Sequence, residues 1–153
     1  ANTTASVPDY RTLNFQSGIA EDTRLYGSIR QADWSNHQVA VAPQTQAAPT
    51  SDFSDSTTYT IGIGRKISDQ WSATISYKTE EATDNTGTSL LSPTDGYEAV
   101  GAAAIYTLEN GTEITVGVNY SMVGDKTITT SGVSGLYSDN TVVTSGIKVA
   151  YNF

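Results

Sequence analysis

The run Gly146-Ile147-Lys148-Val149-Ala150-Tyr151-Asn152-Phe153 puts an apolar side chain at every second position and finishes on an aromatic residue. Alternation of that period gathers Ile147, Val149, Tyr151 and Phe153 on one face of a strand. A closed barrel in lipid needs such a complete last strand, because no water reaches a free edge there to satisfy its backbone groups. The pattern therefore points to an all-β chain, and within that class to an antiparallel up-and-down transmembrane β-barrel.

Alternation of the same kind recurs upstream, giving seven segments in all. Segment 11–20 sets Leu13, Phe15 and Ile19 against Asn14, Gln16 and Gly18, and 24–34 sets Leu25, Gly27 and Ile29 against Tyr26, Ser28 and Arg30. In 57–67, Tyr59, Ile61 and Ile63 oppose Thr58, Thr60, Gly62 and Gly64. The clearest is 71–78, where Trp71, Ala73, Ile75 and Tyr77 alternate with Ser72, Thr74, Ser76 and Lys78, an aromatic closing each end of the apolar face. Interfacial aromatic girdles of a membrane barrel have this pattern. Segment 97–108 leaves two facings open, Ala99, Ala103 and Ile105 or Val100, Ala102 and Tyr106. The sixth presents Ile114, Val116, Val118 and Tyr120 opposite Thr115, Gly117, Asn119 and Ser121.

Composition agrees with strands. Only 37% of residues are apolar and no run approaches the roughly 18 to 20 residues of a spanning helix. The mean hydropathy of -0.30 suits strands that offer only alternate side chains to lipid. The absence of cysteine leaves no disulfide or thiolate metal site to propose. A net charge of -8 and a pI near 4.3 argue against nucleic acid as a partner, since phosphate contacts call for clustered Lys and Arg.

Connections alternate strictly in length. Tight turns are expected at 21–23, 68–69 and 109–111, the last carrying the hairpin signal Asn110-Gly111. Long loops are expected at 35–56, 79–95 and 124–140. Outer-membrane barrels keep short periplasmic turns and long external loops. The expected location is thus the outer membrane of a Gram-negative bacterium, with the C-terminus periplasmic. Asp33, Asp52, Asp55, Glu80, Glu81, Asp84, Asp95, Asp125 and Asp139 then crowd the outer rim or the loops; no spaced ligand loop appears, so diffuse surface charge is the reading adopted, with loose divalent-ion bridging to lipopolysaccharide as the alternative. Seven antiparallel strands close on themselves only through a parallel pair, so an upstream segment with an odd number of strands is expected, residues 1–10 being the tail of its external loop.

The stretch Thr12-Leu13-Asn14-Phe15-Gln16-Ser17-Gly18-Ile19-Ala20-Glu21-Asp22-Thr23-Arg24-Leu25-Tyr26-Gly27-Ser28-Ile29-Arg30, with Asp33-Trp34-Ser35, resembles the C-terminal half of the long-chain fatty acid transporters of the outer membrane, the FadL type. Tyr59-Thr60-Ile61-Gly62-Ile63-Gly64-Arg65, Asp69-Gln70-Trp71-Ser72, Thr94-Asp95-Gly96-Tyr97 and Val149-Ala150-Tyr151-Asn152-Phe153 are similar to later parts of that family. The resemblance implies half of a fourteen-stranded barrel that admits fatty acids or other hydrophobic compounds by passive diffusion. It also implies, as a partner, the missing N-terminal half. Tyr151 and Phe153 are similar to the signal read by barrel-assembly machinery, with Lys148 where many such signals carry Gly.

The expected lipid-facing set is Leu13, Phe15, Ile61, Ile63, Trp71, Ile75, Tyr77, Val116, Val118, Ile147 and Val149. Arg30, Lys78, Glu98, Asn119 and Lys148 are expected toward the lumen, with Arg30 and Lys78 as candidates to orient a carboxylate head group. Leu90 and Leu91 are candidates for an apolar capture surface for a hydrophobic ligand. His37 lies near Asp33 and Ser35, but spacing alone establishes no triad, and a loop histidine is the reading adopted. No catalytic residue, cofactor or metal site is expected. The rival functional reading is a small structural or adhesive outer-membrane barrel, a surface or phage receptor with acidic loops. A soluble β-sandwich gives no reason for the alternating loop lengths.

Overall fold

A computed structural model describes residues 3–4, 7–41, 51–84 and 86–151. Seven strands form one sheet: β1 Tyr10–Ala20, β2 Thr23–Ala32, β3 Ser56–Lys66, β4 Trp71–Glu80, β5 Tyr97–Thr107, β6 Glu113–Val123 and β7 Thr141–Ala150. Each strand pairs with its neighbours in sequence, and every pairing is antiparallel. The result is an all-β up-and-down meander, open between β1 and β7. The second strand stops at Ala32, two residues before the expected end, and Asp33 and Trp34 belong to the loop.

Register sorts the side chains. Phe15, Gly27, Ile61, Tyr77, Val100, Tyr120 and Val143 lie opposite one another across all seven strands, so they share a face. Counting in twos from that row collects every residue of the expected lipid-facing set on the same side. The row one residue away, Gln16, Tyr26, Gly62, Ser76, Gly101, Asn119 and Thr144, belongs to a polar face. Register also decides β5: Val100, Ala102 and Tyr106 join the apolar face, and Ala99, Ala103 and Ile105 the polar one. Glu98 is a correction. It stands between Thr79 and Met122 on the apolar face, not with the lumen candidates.

The described residues leave the apolar face largely uncovered. Ile75, Val118 and Ile147 are 53%, 50% and 75% exposed, and the buried apolar residues are only Ala32, Ala99 and Ile128 among the described residues. On each face a ring leans over an opposing glycine. A Cβ on Gly27 would collide with the Phe15 ring, and one on Gly62 with the Tyr26 ring. Tight turns follow the expected positions. Gly111, at φ +81°, closes the turn from Leu108, and Asp22, at φ 55°, closes the first hairpin.

The long loops are more ordered than their composition suggests. Region 124–140 contains a hairpin, Lys126–Thr130 with Val133–Tyr137, turning at Ser131 and Gly132, both at positive φ. Its first strand also pairs in parallel with Thr86–Gly87 of the preceding long loop.

Candidate functional site

Two regions gather polar side chains: the polar face of the sheet and the space beneath the long loops. On the polar face, Arg30, Thr58, Glu80 and Tyr97 occupy one row, and Lys78 sits in the next. Thr58 Oγ1 donates to Glu80 Oε2 at 2.6 Å. The Arg30 guanidinium lies 4.8 Å from the centre of the Tyr10 ring, and Lys78 Nζ 6.0 Å from that of Tyr97. Arg30 and Lys78 thus flank Glu80 on the same face, and both are exposed. Further along the strands a cavity of about 820 Å³ is lined by Gln16, Arg24, Tyr26, Lys66 and Thr74, with Tyr26 and Thr74 hydroxyls 2.7 Å apart. Another, of about 470 Å³, runs along Gly101, Ala103, Gly117 and Gly146. Both are lined chiefly by the polar face, which is therefore the hollow side of the sheet.

Charge is divided between these regions. The strands carry Arg24, Arg30, Lys66, Lys78 and Lys148 on the polar face against Glu80 and Glu113. The long loops carry Asp33, Asp52, Asp55, Glu81, Asp84, Asp95, Asp125 and Asp139 against Lys126 alone. The inner wall is cationic although the chain is acidic.

At the loop end a cavity of about 430 Å³ is bounded by Trp34, Phe53, Glu80, Asp95, Tyr97 and Lys126, with Asp55, Glu81, Val123 and Val142 among its other lining residues. Gln38 builds one wall. Its Oε1 accepts from Ser51 Oγ at 2.7 Å and Phe53 N at 2.9 Å, while its Nε2 donates to Phe53 O at 2.8 Å. That clasp brings Phe53 edge-on to Trp34, ring centres 5.5 Å apart. Asp95 builds the other wall, accepting from Thr83 N at 3.0 Å and from Asp84 N. Asp52 ties the first loop to the second by accepting from Thr88 N at 3.0 Å. Ser35 N donates to Asp55 at 2.8 Å, and this bond holds the Asp55 carboxyl below the usual carboxylate range. Asp84 is held low in the same way by the Thr86 hydroxyl and backbone N–H.

The other expected site residues fall elsewhere. Leu90 and Leu91 are exposed in a turn pinned by Ser89 and do not line the mouth cavity. Asp33 accepts from Asn36 Nδ2 at 2.8 Å, and His37 is half-buried with its N–H donating to Trp34 O at 3.0 Å. Tyr151 is exposed just past β7, and Phe153 lies outside the described residues. No group of three or more potential ligand side chains is placed to hold a metal ion among the described residues. Sequence reasoning missed Lys126, which is 3% exposed. The Ser131-Gly132 dipeptide between two short runs rich in Thr, Ile, Val and Tyr signals the hairpin that carries it, though not its burial.

The chain is similar to the crystal structure of a Pseudomonas aeruginosa FadL homologue, with a TM-score of 0.70 over 93% of this chain at 18% sequence identity. The likeness is one of fold. It spans only 34% of that protein's length. No family model and no curated protein matches the sequence.

Proposed function

We propose that this chain forms part of the wall of an outer-membrane β-barrel through which hydrophobic compounds, long-chain fatty acids among them, diffuse passively. The observation that carries the reading is the apolar face, exposed across all seven strands while the opposite face is polar and hollow. In water such a patch far exceeds the few hundred Å² that monomers tolerate, whereas a bilayer covers it. On β6 the band runs from Ile114 to Met122, about 27 Å along the strand and about 20 Å deep at barrel tilts. That depth is close to the apolar band of outer-membrane barrels, about 25 Å.

β1 and β7 run the same way, so closing the sheet on itself would place parallel strands side by side. An odd number of further strands, from an N-terminal part of a longer chain, resolves this. The long loops then face outward and the C-terminus the periplasm, where assembly machinery meets Tyr151 and Phe153. Lipid and lipopolysaccharide surround the wall, Arg30 and Lys78 orient the head group of a ligand, and Leu90 and Leu91 offer apolar contact on its way in. The role is conduction, with no catalytic step.

The test is fatty-acid uptake by cells expressing the full-length protein, alongside its gel mobility with and without heating. Uptake above background with a heat-dependent shift supports the reading. A protein soluble without detergent, or a folded barrel that neither binds nor passes fatty acid, overturns it. In the second case the acidic, cross-linked loops favour the receptor reading.

A further inference from the structure

We infer that the outer edge of the loop hairpin is a docking site for an extended, cationic polypeptide segment of another protein, which adds to it as a further β-strand. It rests on the barrel reading above only for the outward placement of the long loops. Lys126–Thr130 is the middle strand of the three-stranded loop sheet, so Val133–Tyr137 forms its edge. All five residues of that edge are exposed, and its far side pairs with no described residue. The two-residue turn at Ser131 and Gly132, both at positive φ, makes Thr130 and Val133 the closing hydrogen-bonded pair. Alternation along the antiparallel ladder then turns the backbone N–H and C=O of Ser134 and Leu136 outward. Unpaired groups in such a row are a template for another strand.

Edges exposed to water are ordinarily blunted by a charge, a proline or a bulge. Val133-Ser134-Gly135-Leu136-Tyr137 has no charged residue, no proline and an unbroken register with its partner strand. Register also defines its two faces. Val133, Gly135 and Tyr137 share a face with the buried Lys126 and Ile128, while Leu136, 67% exposed, stands on the outer face with Ser134. A Cβ on Gly135 would meet nothing within 4 Å, so the space between Val133 and Tyr137 is open to an apolar side chain of the arriving strand. Charge selects the occupant. The long loops carry eight carboxylates, and their one lysine, Lys126, is buried. Two of those carboxylates, Asp125 and Asp139, are exposed at the Tyr137 end of the edge, where Asp139 N donates to Asp125 Oδ1 at 3.0 Å. A second copy of this chain would bring like charges to the same edge, which is unfavourable, whereas a segment ending in Lys or Arg meets opposite ones.

The test uses the full-length protein in zwitterionic lipid nanodiscs and a fluorescein-labelled probe peptide, Lys-Lys-Thr-Val-Thr-Ile-Thr-Val-Lys, with binding read by fluorescence anisotropy. One control peptide carries Glu for every Lys; the other is N-methylated through its Thr-Val-Thr-Ile-Thr-Val run, which removes the donors of a ladder. Wild type is expected to bind the probe about tenfold more tightly than either control, the scale of one or two hydrogen bonds. Leu136→Pro deletes an N–H that points away from the hairpin, so it blocks the edge while keeping the hairpin ladder, and should lower affinity about tenfold. Leu136→Lys leaves the backbone intact and should also weaken binding, by guarding the edge with a charge. Equal binding of the N-methylated peptide assigns the attraction to loop charge alone and overturns the docking edge. Affinity that survives both Leu136 variants overturns it, as does failure of wild type to bind the probe. Self-association of the protein that Leu136→Pro abolishes gives the edge to a second copy and overturns the assignment of its occupant. None of these outcomes alters the heat-dependent gel shift or the fatty-acid uptake by which the barrel reading is tested.

Discussion

Ser145 and Thr144 are adjacent, polar and exposed, and they differ in the face they occupy. Ser145 lies in the row of Val118 and Ala102, midway along the apolar band, whereas Thr144 lies opposite Asn119 on the polar face. Ser145 stands four residues from either end of that band, taken as the rows of Thr141 and Val149. That is about 13 Å along the strand, or roughly 10 Å of depth at barrel tilts. An arginine side chain spans part of that distance by snorkelling, so Ser145→Arg belongs at the lower end of the midplane penalty, about 2 kcal/mol. Thr144→Arg, on a hollow face already carrying Lys148 and Arg24, should cost under about 0.5 kcal/mol. The gap corresponds to roughly tenfold in the unfolding equilibrium. It would be measured by urea titration of the full-length protein refolded into lipid vesicles, with gel mobility as a second probe. Equal effects, or a larger cost for Thr144→Arg, would refute the assignment of the apolar face to lipid.

Gly62→Val should force the Tyr26 ring aside and break its bond to Thr74, costing about 1–3 kcal/mol by overpacking. Tyr26→Phe removes the bond alone and should cost about 1 kcal/mol in the same titration. Acid should loosen the loops. Asp55 and Asp84 have folded values below their ordinary 3.8, so their stabilisation is complete above that pH and is lost as pH falls through the lower folded values. Trp34 emission, followed from pH 7 to 2, should hold steady above 3.8 and change below it; a transition confined to higher pH contradicts this. Asp95→Asn should speed protease cleavage in region 81–96 without altering the heat-dependent gel shift of the barrel.

What the sequence revealed depended on contrast between neighbouring residues. β4 could be read directly because Trp71, Ala73, Ile75 and Tyr77 alternate with hydroxyls and a lysine. β5 could not, since the run from Ala99 to Ala104 offers side chains too uniform to mark a face, and only its pairing with Tyr77 and Tyr120 decides that Val100 faces the apolar side. Glu98 was misplaced by its chemistry, which suggests a lumen, while its register puts it beside Met122 near the loop end of the band. With that face in lipid, a carboxylate there would still be within reach of interfacial water. Lys126 was illegible for a different reason. Its burial depends on Gly87 in another loop, a contact between segments distant in sequence that no local period reports.

Net charge is similarly uninformative until the fold distributes it. A value of -8 implies repulsion of anions everywhere, yet the excess sits in the loops and turns while the strands turn five cations and two carboxylates to the hollow face. Charges farther apart than about 10 Å are screened at moderate salt, so a solute beside β2 or β4 responds to Arg30 and Lys78 rather than to the loop aspartates. Any anion approaching from the loop side would first meet a field set by the loop carboxylates and then, past the Glu80 row, one set by the cations of the polar face. Lys126 stands at that boundary, the one cation among eight long-loop carboxylates.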